Sequence, residues 1–325
     1  MKTQKFIRLA LLAGAVMAAI SCANNDNDEP GTGIQPPTSA EFKLIRENAL
    51  NDIMQIKMYK AEEGIDFTSI QGVHLTINPN SMYLNGNLVT GDVKLEFVEL
   101  YKRGNMLVVN KPLMGTSEDE SAKGPLITGG QFYINVTKDG QTIDAYYYMD
   151  VPTENTGDFN PEMSFWTGEE NENEDMEWNQ VGPNRETGGI FGKDSNYSIW
   201  GCFFGWINID ILYSLPDPKT QIWVKVPDGY DSKNCSVYVV YKDKPGALAY
   251  MDVWDSEKKM FTEHYGLAPI GFNFYVVFVS VQKDGQFIYA IKDVVIEENK
   301  IITFDASELK ILDIDSLVKL INDLK

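Results

Sequence analysis

The chain has 325 residues, with 28 Lys and Arg against 47 Asp and Glu, for a formal net charge of −19. That balance excludes a nucleic-acid backbone or an anionic lipid surface as a direct partner, because both require clustered Lys and Arg. With 43% hydrophobic and 12% aromatic residues, the chain has the length and apolar content for two domains of ordinary size.

Lys2, Lys5 and Arg8 form a cationic start, and Leu9 to Ile20 is an apolar run too short for an ordinary membrane span, which needs about 20 residues. Ala19-Ile20-Ser21-Cys22 resembles the lipobox of bacterial lipoproteins. The expectation is cleavage after residue 21 and acylation of Cys22, which anchors the chain to a membrane through lipid. The alternative is an ordinary secretory signal with a cysteine nearby. Residues 23–29 are polar and acidic and resemble the export signal of surface-exposed lipoproteins of Bacteroidota-type bacteria. Pro30, Gly31, Gly33, Pro36 and Pro37 then mark a tether over residues 22–40. The expected location is the outer membrane, facing the extracellular surface. Asp26 and Asp28 stand at calcium-loop spacing, but Pro37 sits where the bidentate glutamate is required, so no metal is expected there.

Residues 41–185 read as a first β domain. Phe42, Ile45 and Ala49 fit a short helix to about Asn51, and a strand follows. His74 to Ile77 is a strand, Asn85-Gly86 a hairpin turn, and Val93, Leu95 and Phe97 alternate with Lys94 and Glu96. Thr116 to Gly124 lacks periodicity and reads as a loop. Phe132, Ile134 and Val136 alternate up to the turn at Asp139-Gly140. Glu169, Glu170, Glu172, Glu174, Asp175 and Glu177 lie between Phe165-Trp166 and Trp178, which suggests a hairpin with a solvated acidic tip.

Residues 195–306 form the second expected β domain, with Ile222, Val224 and Val226 on one face and strong strands at Val237–Tyr241 and Phe274–Val279. In residues 307–325, Asp313 or Asp315 is placed to cap a helix whose apolar face is Leu317, Leu320, Ile321 and Leu324, packing back on that domain. The fold class is mainly β: two antiparallel β-sandwich-like domains with a short N-terminal helix and a C-terminal helix. Val136-Thr137-Lys138-Asp139-Gly140-Gln141 recurs as Val281-Gln282-Lys283-Asp284-Gly285-Gln286, through either duplication or repeated use of good turn chemistry. Cys202 and Cys235 read either as a disulfide or as two small apolar residues.

Asn85 to Val93, Phe97 to Leu100, Gly104 to Leu107, Gly129 to Tyr133 and Phe204 to Asp210 resemble Bacteroidota lipoproteins with a ZU5-like β domain followed by a second β domain. The resemblance rests on structural motifs and implies no activity. Some ZU5 domains cleave themselves at a His-Phe-Ser step. Here Leu75 follows His74 and Tyr265 follows His264, so self-cleavage is not implied.

Catalytic motifs are lacking: the two histidines stand alone, and neither a nucleophile-elbow serine nor a phosphate-binding glycine loop occurs. The chain is therefore read as a non-enzyme without cofactor or metal, a binding module for a glycan or protein partner. The alternative is a structural subunit of a surface assembly, and a carboxylate-dependent hydrolase is the third reading. Besides Cys22 for lipidation, the candidate ligand-binding residues are Tyr146, Tyr148, Trp166 and Trp178, whose rings are suited to stacking on sugars.

Overall fold

Alternation of apolar and polar residues runs through most of the chain after Gln55, and in the structure, a computed structural model, it becomes a mainly β fold. The described residues are 34–171, 175–182, 188–193, 195–242 and 244–325; Cys22, the signal segment and Asp26–Asp28 lie outside them. Helix α1 (Ser39–Asp52) starts at a capping box. The Thr38 hydroxyl accepts from the Glu41 amide at 3.3 Å, and the Glu41 carboxylate accepts from the Thr38 amide at 2.8 Å. Phe42, Arg46 and Ala49 form its buried face.

The first β region pairs an eight-stranded sheet with a five-stranded one. In the larger, Gln55–Lys60 is an edge, followed by Asp92–Leu100, Lys123–Lys138, Gly205–Leu212, Ser164–Glu170, Met176–Gln180 and Met114–Thr116, with Gln141–Thr142 beside Lys123–Lys138. Met114–Thr116 also pairs with the start of Lys123–Lys138, so five of these strands close into a ring. Gly115 stands in it because a Cβ there would lie 2.8 Å from the Trp166 ring and 2.9 Å from Leu126.

The five-stranded sheet runs Gly188–Lys193, Asn196–Gly201, Tyr147–Pro152, His74–Ile77, Ile65–Thr68. Its inward residues, among them Phe67, Leu75, Met149 and Ile199, share one apolar core with Leu95, Phe97, Phe132 and Ile207 of the larger sheet.

This pairing corrects the boundary expected between residues 185 and 195. Gly188–Lys193 and Asn196–Gly201 belong to the first pair of sheets, and Gly205–Leu212 lies between Lys123–Lys138 and Ser164–Glu170. The polar, glycine-rich sequence after Gln180 reads as a linker, yet the strands after it supply Tyr197, Ile199, Ile207 and Ile209 to the first core.

In the second β region, Leu248–Tyr250, Ser236–Tyr241, Asn273–Val281, Phe287–Val295 and Lys310–Leu312 form one sheet, and Val253–Asp255, Met260–Thr262, Trp223–Lys225 and Ile301–Thr303 another. Val237, Val239, Val276 and Phe278 share a core with Val224, Phe261 and Ile302. The opposite face of the five-stranded sheet is buried too. There Tyr238, Val240, Val277 and Val279 join Phe42 and Ala49 of α1, Met106 and Leu107 of α2 (Arg103–Val108), and Leu317 and Ile321 of α3 (Ile314–Asp323). This third cluster also includes Val98 and Trp206 of the eight-stranded sheet, so both β regions fall within one compact unit spanning residues 32–325.

Asp313 caps α3 by accepting from the Ser316 amide at 2.8 Å. At its far end the buried Arg103 guanidinium donates to the Ile321 carbonyl at 3.0 Å, to the Leu324 carbonyl, and to the Tyr241 carbonyl at 3.0 Å. A cation thus meets the negative end of the helix and ties it to the sheet. Burial lowers the pKa of that guanidinium.

The repeated Lys-Asp-Gly-Gln turns differ in geometry. Asp139 and Gly140 both have positive φ, 52° and 81°, as a two-residue loop between paired Lys138 and Gln141 requires. In the second copy Gly285 has φ 87° while Asp284 is absent from the positive-φ residues, and the Gln282 amide reaches the Gln286 carbonyl at 2.8 Å. The same four residues serve two turn types, which favours turn chemistry over duplication. Cys202, half-buried, and Cys235 do not pair with each other. Cys235 is fully buried, and burial pushes its thiol pKa up.

Candidate functional site

The outward face of the first five-stranded sheet is built by strict alternation in its central strand. Tyr147, Met149 and Val151 point into the core, and Tyr148 and Asp150 point to solvent. The register carries this across all five strands as two outward rows. One reads Gly189, Trp200, Tyr148, Thr76, Asp66; the other reads Phe191, Ser198, Asp150, His74, Thr68.

Tyr148 and Trp200 are direct cross-strand partners, so their strands lie about 4.8 Å apart. Tyr148 is 53% exposed, Phe191 61% and Tyr146, just before the strand, 56%; Trp200 is half-buried. The aromatic residues therefore form a band over the Phe191 side of the sheet. The rest of the face is polar, including Ser198 and Asp150 in the row of Phe191. Ser198 Oγ donates to Asp150 Oδ1, and His74 Nε2 lies 3.0 Å from Asp66 Oδ1.

Such a face suits a ligand that presents apolar C–H surface to the rings and hydroxyl groups to the carboxylates at their margin. Asp150 and Asp66 are the acceptors within its rows, and the Thr76 hydroxyl can donate or accept. Among the described residues no cluster of three or more His, Cys, Asp or Glu is placed to hold a metal ion, and no helix is long and apolar enough to cross a membrane.

The structure separates the four aromatic residues expected to bind ligand. Tyr146 and Tyr148 are exposed on this side. Trp166 and Trp178 are not: they are 0% and 1% exposed and belong to the third core. Trp166 Nε1 donates to the Asp210 carbonyl at 3.0 Å and Trp178 Nε1 to the Pro112 carbonyl at 2.8 Å. These bonds satisfy the only polar atom of each indole and mark both rings as core residues, not a stacking platform. The consecutive pair Phe165-Trp166 already signals a strand covered on both faces, since Phe165 fills the first core while Trp166 fills the third.

Trp200 and Phe191 were not among the expected residues. Trp200 carries a readable signal: in Tyr197-Ser198-Ile199-Trp200 the buried residues are Tyr197 and Ile199, which puts Trp200 on the side of Ser198. Phe191 follows Ile190, and nothing local says which of the two turns outward. Cys22, the expected lipidation site, lies outside the described residues.

His264 lies in a loop, and its Nδ1 is hydrogen-bonded to Asp252 Oδ2. This bond to the carboxylate raises its pKa, against partial burial. Compared with family models, with curated proteins and with solved structures, the chain matches none.

Proposed function

We propose that this chain is a lipid-anchored, non-catalytic binding module of the outer membrane, displayed toward the extracellular side, which holds a glycan against the face around Tyr148 and Trp200. The observation that supports it most is their cross-strand pairing on a solvent-facing sheet, flanked by Phe191 and Tyr146. Exposed aromatic clusters are rare where only folding is at stake, because their burial is favourable. A flat band of rings fits an extended sugar chain better than an enclosed monosaccharide. The ZU5-like lipoprotein resemblance and the Cys22 anchor belong to the same reading: the anchor holds the module at the surface, and the face meets polymer from outside.

The test is a glycan array with the full chain and with Tyr148→Ala and Trp200→Ala. Binding by the parent and at least a tenfold loss in each variant supports the reading. Silence of the parent on the array overturns it.

A second reading, a subunit of a surface assembly, has one observation in its favour. The edge strand Gln55–Lys60 leaves Ile56 59% and Met58 57% exposed. An exposed apolar edge is a template for pairing with another chain. Sedimentation of the full chain and of Met58→Lys distinguishes the two, since a self-association that the lysine abolishes favours assembly.

A further inference from the structure

The aromatic band on the first five-stranded sheet does not end at Tyr146. The alternation of Tyr147–Pro152 begins four residues before that strand: Ile143 and Ala145 are buried in the first core, and Asp144 and Tyr146 are exposed. At Asp144 the chain meets the hairpin of Tyr83–Leu84 and Asn87–Leu88. The Tyr83 amide donates to the Asp144 carbonyl at 2.8 Å, and the Asp144 amide donates to the Tyr83 carbonyl at 2.7 Å. Residues opposed in this way project to the same side. Tyr83, 44% exposed, and its own cross-strand partner Leu88, 46% exposed, therefore stand on the side of Tyr146 and Tyr148.

The hairpin is fixed from within. Asn85 and Gly86 have φ 52° and 78°, as its two-residue turn requires. At its base the Val89 amide donates to the Met82 carbonyl at 2.9 Å, and both side chains fill the first core. The inner face is held by that core, while the outer face adds two apolar side chains that folding does not use.

Tyr148 lies four residues beyond Asp144, so at about 3.3 Å per residue the line from Tyr83 to the Tyr148–Trp200 pair is about 13 Å long. A single sugar ring is much shorter than that. Carboxylates stand along the line at Asp144 and Asp150, with Asp66 at the margin, and the two outward rows of the sheet contain neither Lys nor Arg. Carboxylates accept hydrogen bonds from hydroxyl groups and repel anions.

We propose that the binding face runs lengthwise along the strand of Tyr146 and Tyr148, from Tyr83 and Leu88 to Trp200, and that its ligand is a neutral, β-linked glucose chain of several units. In such a chain every ring substituent is equatorial, so each sugar presents axial C–H groups to a flat aromatic face and hydroxyl groups at its edges. That matches rings along the line and acceptors beside it. The inference rests on the glycan reading of this face and adds the direction, length and charge class of the ligand.

Calorimetric titration of the full chain with cellohexaose tests this, with cellobiose and hexagalacturonate as comparison ligands. Cellohexaose binds at least tenfold more tightly than either. Tyr83→Ala loses at least fivefold in affinity for cellohexaose with an unchanged melting temperature, because the bonds to Asp144 are made by the backbone. Tyr83→Phe, which keeps the ring, binds within twofold of the parent. Equal cellohexaose affinity in Tyr83→Ala and the parent, or cellobiose or hexagalacturonate binding as tight as cellohexaose, would each overturn the proposal. So would absence of cellohexaose binding by a chain that holds another glycan on the array, an outcome that leaves the glycan reading standing. Silence of the parent on the array overturns both.

Discussion

Replacing Asp175 by Asn is expected to stabilise the protein at neutral pH and to leave it nearly unchanged at pH 4. Burial, and after it the neighbouring Asp252 carboxylate, push the Asp175 pKa from 3.8 to about 6; the Tyr250 hydroxyl and Arg46 act in the opposite direction. A carboxyl whose pKa is raised by folding keeps its proton where the unfolded chain has lost it. Stability is therefore full below about pH 4, falls as pH rises toward 6, and is flat above. At 1.36 kcal/mol per pH unit the full effect is about 3 kcal/mol, and because the side chain is only partly buried, solvent screening reduces it to about 1–2 kcal/mol. Asparagine keeps an acceptor for Tyr250 but cannot ionise. The assay is urea unfolding of both proteins at pH 4 and pH 7.5. Taking the difference between them removes other titrating groups, such as Glu263, whose pKa is also raised by burial. An advantage of about 1–2 kcal/mol for Asn at pH 7.5, vanishing at pH 4, is the expected result. A variant with the same pH profile as the parent, or one less stable at pH 7.5, refutes the reasoning.

Trp166→Ala empties a fully buried indole site and is expected to cost about 3–5 kcal/mol in urea unfolding. Tyr148→Ala, on the exposed face, should change stability by less than about 0.5 kcal/mol; similar losses for both would contradict the assignment of one to the core and the other to the surface. Arg103→Met removes three hydrogen bonds to backbone carbonyls that hold α3, and an overall loss of about 3 kcal/mol is expected, with faster hydrogen exchange in α3. Cys22→Ala is expected to release the protein from the membrane fraction, and its retention there would contradict the lipid anchor.

Much of the local structure was legible because it depends on near neighbours. Asp313 with Ser316, the turn at Asp139-Gly140 and the alternation through Val93, Leu95 and Phe97 each place their partners within a few residues. The mainly β class follows from the same period-two pattern. Tyr148 was readable as outward for that reason, since a strand with Tyr147, Met149 and Val151 inside must turn Tyr148 out.

The sequence by itself thus determined the mainly β class, many of the strands, the cap of the last helix and the side of its strand on which Tyr148 falls, since these depend on residues a few positions apart. Only the tertiary structure decided which strands are neighbours. The register that sets Trp200 against Tyr148 joins residues 52 positions apart, and it is what turns single aromatics into a face. Closure of a ring that includes the strands of Trp166 and Trp178 converted two expected ligand contacts into core residues: the strand of Trp166 is covered on both faces, and that of Trp178 turns Glu177 and Asn179 to solvent and the indole inward. Arg46 shows the same limit from the other direction: within α1 it looks like a surface cation, and it is the hydroxyl of Tyr238, 192 residues away, that holds it as a buried one.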